Sequence, residues 1–210
     1  MQRRIEQEKA MTGLPEVRKY AGEIKKLSGL LYRPFLKELN RLNFGGRYLE
    51  IGAGPGVLAT IISENNPDIS ITAVDISPDM ATVAEEYIRE RKLQDRINYL
   101  LVDANDENAL RELGKFDLVY STFSMHHWQD PVKSIANLWD SVAENGKLFI
   151  YDFTRVRWLY YLPFNNGDLN SIRAAYTTSE LKAIVREIGL KNYDAKTFFP
   201  FFLQLIITRA

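Results

Sequence analysis

The stretch Leu49-Glu50-Ile51-Gly52-Ala53-Gly54-Pro55-Gly56 joins the end of an apolar run to the start of a helical pattern through three glycines spaced by single residues. Glycine has no Cβ, accepts positive φ and lets a ligand approach the main chain, while the first N–H groups of the following helix have no partner within it. Such a turn between strand and helix points to a nucleotide cofactor. Dinucleotide-binding proteins place glycines in the same position, so the neighbouring segments decide between cofactors.

Residues 69–74 read as a second strand that ends at Asp75, and residues 98–102 as a third that ends at Asp103. Each delivers a carboxylate to the carboxyl edge of the sheet, where open α/β sheets bind ligands and where an Asp can accept from ribose hydroxyls. Turn formation is the alternative role for either Asp. Residues 116–121 and 147–152 are further short apolar runs bounded by turn residues. Strands that alternate with helical patterns predict a mainly parallel sheet covered on both faces. Ser77-Pro78 and Asp130-Pro131 combine an N-cap type with proline at the first helical position, and Thr177 with Glu180 fits a capping box. These signals predict helices over 78–92, 131–143 and 178–188. Two apolar runs on either side of Pro200 predict a final pair of strands.

With Glu50 ahead of the first glycine, an Asp after each of the next two strands and the segment Phe116-Asp-Leu-Val-Tyr-Ser-Thr-Phe-Ser-Met-His-His-Trp-Gln-Asp-Pro131, the chain resembles the class I S-adenosylmethionine-dependent methyltransferases over residues 44–210. The resemblance implies a Rossmann-like, doubly wound α/β fold: a seven-stranded, mostly parallel sheet whose last strand is antiparallel and inserts between the fifth and sixth. It implies S-adenosylmethionine as cofactor and S-adenosylhomocysteine as product. Carried over position by position, Gly52, Ala53 and Gly54 form the floor under the methionyl part and Glu50 orients the turn and the amino group. Asp75 takes the ribose hydroxyls and Ile76 lies against the adenine. Asp103 and the Ala104 N–H read the adenine edge, and Ser121 sits beside the methionyl tail.

The composition fits one core: 210 residues, 46% apolar and 26% charged, with no apolar run long enough to span a bilayer. The absence of cysteine excludes disulfides, thiolate metal sites and a cysteine nucleophile. A charged amino terminus without an apolar core has no secretory signal pattern, which makes a cytoplasmic location the expectation. Residues 1–47 carry 11 Lys and Arg against 5 Asp and Glu, a surplus of six that the remainder offsets. Sparse aromatic residues and no RNA-binding module accompany that surplus, so solvated helix faces are expected and no nucleic-acid partner. Leu27, Leu31, Phe35 and Leu39 recur every four residues and predict one helical stripe in this arm. Residues 1–43 are therefore read as a helical N-terminal lid on a methyltransferase domain of residues 44–210, as in related enzymes. Tyr20 and Tyr32 become candidates for the pocket wall. A monomer or homodimer is expected.

His126 and His127, the only histidines, follow the fourth strand, where acceptor meets donor in this family. A histidine there can take a proton near neutral pH, or brace the next helix. Two adjacent histidines do not share a helical face, so no metal site is expected. The region lacks the Asn/Asp-Pro-Pro-Tyr/Phe string of amide-nitrogen and DNA adenine methyltransferases, which leaves a small-molecule acceptor. Between residues 153 and 176, Trp158, Tyr160 and Tyr161 can line an acceptor pocket while Arg155, Arg157 and Arg173 hold an anionic group, or Trp158 and Tyr161 can be core. Two other functions fit parts of the pattern: a non-catalytic S-adenosylmethionine-binding or scaffold protein, and an NAD(P)-dependent oxidoreductase. The latter lacks the third dinucleotide glycine, since Val57 occupies that place.

Overall fold

The computed structural model describes residues 1–4, 11–163 and 167–209. Seven strands, β1 (Gly46–Ile51), β2 (Ile69–Asp75), β3 (Ile97–Leu101), β4 (Phe116–Thr122), β5 (Val142–Phe153), β6 (Tyr193–Phe198) and β7 (Phe202–Thr208), form one sheet. Their order is β3-β2-β1-β4-β5-β7-β6. The first five are parallel, and β7 runs antiparallel to both β5 and β6. The order reverses between β1 and β4, which opens a crevice at their carboxyl ends. The described helices are α1 (Leu14–Leu31), α2 (Arg33–Leu42), α3 (Val57–Asn65), α4 (Pro78–Glu90), α5 (Glu107–Leu113), α6 (Pro131–Asp140), α7 (Arg157–Tyr160), α8 (Gly167–Ala174) and α9 (Thr178–Glu187).

The two faces of the sheet follow from the period-two alternation of strand side chains. Tyr48, Tyr120, Phe149 and Tyr151 point to one core with Phe35 of α2 and Leu58 of α3. Leu49, Val119, Leu148 and Ile150 point to the other, with Ile135 of α6 and Leu181 of α9. The predicted caps are in place. Ser77 Oγ accepts from Met80 N at 3.2 Å, Asp130 Oδ1 from Lys133 N at 3.0 Å, and Thr177 and Glu180 complete a reciprocal capping box.

Two expectations change. The stripe through Leu27, Leu31, Phe35 and Leu39 does not run along one helix, because α1 ends at Leu31 and α2 starts at Arg33. Pro34 has no N–H for an intrahelical bond, and its ring crowds the carbonyl four residues upstream. Leu27 is left 49% exposed while Phe35 and Leu39 are buried. The second change concerns the boundary at residue 43. Phe35 and Leu39 share a core with Tyr48 and Leu118, so α2 is a cover of the sheet, whereas α1 packs Val17 and Ala21 against Met80 and Val83 of α4. Residues 5–10 of the arm lie outside the described residues.

Candidate cofactor and acceptor site

The glycine turn after β1 is fixed by backbone bonds. Gly52 N and Ala53 N both donate to Val74 O, at 2.9 and 3.0 Å. Gly54 N donates to Asp75 Oδ2 at 2.8 Å, and the Tyr99 hydroxyl donates to Gly54 O at 2.6 Å. Gly52 and Gly54 have φ of 69° and 53°, in the left-handed region, for different reasons. A Cβ on Gly52 would stand 2.5 Å from Ser124 Oγ, whereas one on Gly54 would meet nothing within 4 Å. Gly52 lets the loops after β1 and β4 approach each other, and Gly54 keeps a surface clear.

Asp75, at the end of β2, also accepts from Ser77 N through Oδ1 at 3.0 Å. Each carboxylate oxygen accepts two bonds, so lone pairs remain for hydroxyl donors. Burial raises the Asp75 pKa, against the pull of N–H bonds from Ser77, Gly54 and Ile76. Ile76 is half-buried beside it. Glu50 is buried on β1 and accepts from the Tyr120 hydroxyl at 3.1 Å. Burial, opposed by the Tyr120 bond and helped by the Asp75 charge, pushes its pKa up to about 8. Ser121 Oγ, fully buried on β4, has no partner among the described residues. Asp103 is exposed, and its Oδ1 accepts from both Asn105 N and Asn105 Nδ2, at 2.8 and 3.0 Å. One of its oxygens therefore serves the turn that contains the half-buried Ala104.

Clear space over Gly54, a carboxylate with spare lone pairs on β2, a buried acid on β1 and an orphan hydroxyl on β4 suit a ligand with ribose hydroxyls and positive charge. A family profile described as a methyltransferase domain matches residues 49–148. An uncharacterized methyltransferase of Staphylococcus carnosus is 30% identical over 161 residues, which cover 71% of this chain and 72% of that one. The chain belongs to the S-adenosylmethionine-dependent methyltransferases. An uncharacterized Synechococcus protein is 32% identical over 110 residues, 52% of this chain, but that match takes up only 26% of the relative's length. The solved structure of a methyltransferase from Aquifex aeolicus superposes with a TM-score of 0.70 at 15% identity, over 95% of this chain and all of the other. The nicotinamide-dependent oxidoreductase reading is thereby overturned.

Beyond β4 the methyltransferase forms a 3₁₀ turn, Met125–His127. The His126 N–H donates to Asp152 Oδ2 at 2.9 Å, and His126 Nδ1 lies 2.8 Å from Asp152 Oδ1. Both side chains are buried. A carboxylate beside Nδ1 selects the tautomer with the proton there, which leaves Nε2 as the basic nitrogen. Asp152 is the functional candidate that the sequence reading missed, although a signal was present: it lies at the carboxyl end of a strand, as Asp75 and Asp103 lie at or just past the ends of theirs. The His127 ring lies 4.0 Å from that of His126. Burial first, then the charges of His126 and Arg3, lower the His127 pKa to about 4 against the opposing pull of Asp152.

An aromatic wall continues from this turn. The Phe123 ring is 4.8 Å from Phe153 and 5.9 Å from Tyr32, and Phe153 is 5.7 Å from His126 and 6.0 Å from Phe201. Phe123 has φ of 52°, a left-handed conformation rare for a bulky residue. Tyr20 packs on the small core between α1 and α4. Tyr160 is buried, with its hydroxyl donating to Gln2 O at 2.8 Å. Trp158 and Tyr161 are 58% and 68% exposed, so neither is core. Arg155 is bonded to Ala175 O and Glu180, and Arg173 to Tyr160 O and Leu162 O. Among the described residues no cluster of His, Cys, Asp and Glu can hold a metal ion, and no helix is long and apolar enough to cross a membrane.

Proposed function

We propose that this methyltransferase moves a methyl group from S-adenosylmethionine to a hydroxyl on a small, uncharged aromatic acceptor and releases S-adenosylhomocysteine. The observation that carries the reading is the buried His126–Asp152 pair beside the aromatic wall. Gly54, Asp75, Glu50 and Ser121 are the residues that would hold the cofactor, with Ile76 and the Asp103–Ala104 turn at its adenine end. The cofactor supplies a methyl carbon already activated on positively charged sulfur, so alignment and desolvation are the main tasks left to the protein.

A neutral hydroxyl is a poor nucleophile, and His126 Nε2 takes its proton as the oxygen attacks. Asp152 holds the imidazole and stabilises its charged form. Phe123 and Phe153 offer flat faces to a ring, for which stacked and edge contacts contribute beyond area alone. Of the three arginines expected to hold an anionic group, Arg155 and Arg173 are spent on carbonyls and Glu180, and Arg157 is exposed. The segment before α1 covers the cofactor edge in this reading. Gly13 N donates to Asp79 Oδ2 at 2.7 Å and the Ser77 hydroxyl to Met11 O at 2.7 Å, two residues from Asp75.

The test uses catechol, ethanolamine and malonate as alternative acceptors, with S-adenosylhomocysteine release as the signal. Product from catechol alone is expected. Replacing His126 by Asn should cut the rate by about 10²–10⁴-fold at unchanged cofactor affinity. Cofactor binding without product from any acceptor would favour the non-catalytic reading, and equal turnover in the variant would return His126 to a bracing role.

A further inference from the structure

We infer that Arg3 is a positioning residue of the reaction centre: its guanidinium fastens the N-terminal segment to the carbonyl of His126 and holds the His126–Asp152 pair in place. The inference rests on the reading of His126 as the base.

The turn that carries His126 has three residues, and turns this short have little stability of their own. Its internal bonds use other carbonyls: His127 N donates to Ser124 O and Trp128 N to Met125 O, both at 3.0 Å. The His126 carbonyl is bonded from outside, by Arg3 Nη2 at 2.8 Å. Asp152 holds the N–H of the same residue, so the backbone of His126 is gripped on both sides. Arg3 reaches a second element at the same time. Its Nε donates to Ala174 O at 2.6 Å at the end of α8, and its guanidinium carbon lies 4.2 Å above the Tyr176 ring. Both neighbours of Arg3 are tied down: Arg4 N donates to Arg173 O at 3.1 Å, and Gln2 O accepts from Tyr160.

A planar guanidinium with five donors in a fixed fork can join two carbonyls and lie on a ring at once, which a lysine ammonium cannot do. The charge also reaches the His127 imidazole. The ionisable groups acting on it are His126, Asp152 from β5 and Arg3 from the N-terminal segment. Arg3 therefore acts in two separable ways, on His126 by geometry through its carbonyl and on His127 by charge through space.

Because the chain has only two histidines, imidazole NMR on the whole protein resolves both. Two readouts are compared in the wild type, Arg3→Gln, Arg3→Lys and Arg4→Gln: solvent exchange of the His126 Nδ1 proton, and the His127 titration midpoint. In Arg3→Gln the proton should exchange about tenfold faster, the size of effect expected for a lost charged hydrogen bond that closes a local opening. The His127 midpoint should rise in the same variant. Arg3→Lys should restore a low midpoint and leave exchange fast, while Arg4→Gln should change neither. Exchange in Arg3→Gln within about twofold of the wild type would overturn the inference, since local opening would then not depend on Arg3. If Arg3→Gln does not fold, Arg3→Lys carries the exchange test by itself. With catechol as acceptor, Arg3→Gln should also lose turnover without losing S-adenosylmethionine affinity. A wild type that methylates none of the acceptors counts against the proposed function, and the imidazole readouts still decide the role of Arg3.

Discussion

Glu50 and His127 depart from ordinary titration in opposite directions, and both departures have consequences for pH. The folded protein keeps a proton on Glu50 up to about pH 8, whereas an unfolded chain gives it up near 4.5, so this residue makes stability fall as pH rises across that window. His127, with a pKa of about 4 in place of 6.5, makes stability fall as pH drops from 6.5 to 4. The two slopes oppose each other at mildly acid pH, and above the ordinary histidine value Glu50 acts without that opposition. The unliganded protein should therefore lose thermal stability between neutrality and pH 8, and Glu50→Gln should flatten that decline in a melting series. In the proposed pocket, S-adenosylmethionine would bring positive charge to this carboxyl and favour its ionised form. Binding at neutral pH should then release a proton, visible as a binding enthalpy that changes with the ionisation heat of the buffer. The glycines separate in the same manner. Gly54→Ala should weaken cofactor binding more than it lowers stability, because its Cβ enters open space, whereas Gly52→Ala should destabilise through Ser124. Calorimetry and melting on the two variants distinguish them.

At the scale of elements, much was legible because local chemistry and tertiary structure agree. Ser77, Asp130 and Thr177 begin α4, α6 and α9 as their side-chain acceptors require, and the apolar runs ending at Asp75 and Thr208 are strands. The break at Tyr32 was written in Pro34, but the four-residue spacing of leucines concealed it. The pairing of His126 with Asp152 was not legible, since 26 residues and a helix separate two side chains that meet only because β4 and β5 are neighbours. The turn role that the sequence offered for Asp103 occupies one of its oxygens, which accepts from Asn105 N and Asn105 Nδ2. Ser77 serves two elements, capping α4 and donating to Met11 O. Ser77→Ala should cost about 1 kcal/mol of stability through the lost cap. It should also speed proteolytic cleavage ahead of α1, a second readout that a cap alone does not move.

At the scale of the whole molecule, the N-terminal arm divides between two roles. The contacts of residues 2–4 and 11–13 are polar and fasten the chain across functional segments, whereas Phe35 stacks on Phe149 at 4.5 Å within the main core. Removal of residues 1–12 should leave one cooperative unfolding transition. Removal of residues 1–43 should abolish folding, and Phe35→Ala in the intact chain should cost about 3–5 kcal/mol, as large aromatic truncations in cores do. Denaturant titrations of the three variants check the division. The order β5-β7-β6 also bears on synthesis. Because β6 bonds to the sheet only through β7, it has no place to dock when it leaves the ribosome, and the apolar edge of β5 stays open while α9 and β6 are being made. The nascent chain therefore carries an unpaired strand until β7 emerges, and a translational pause within residues 154–201 prolongs its exposure to chaperones and to other chains.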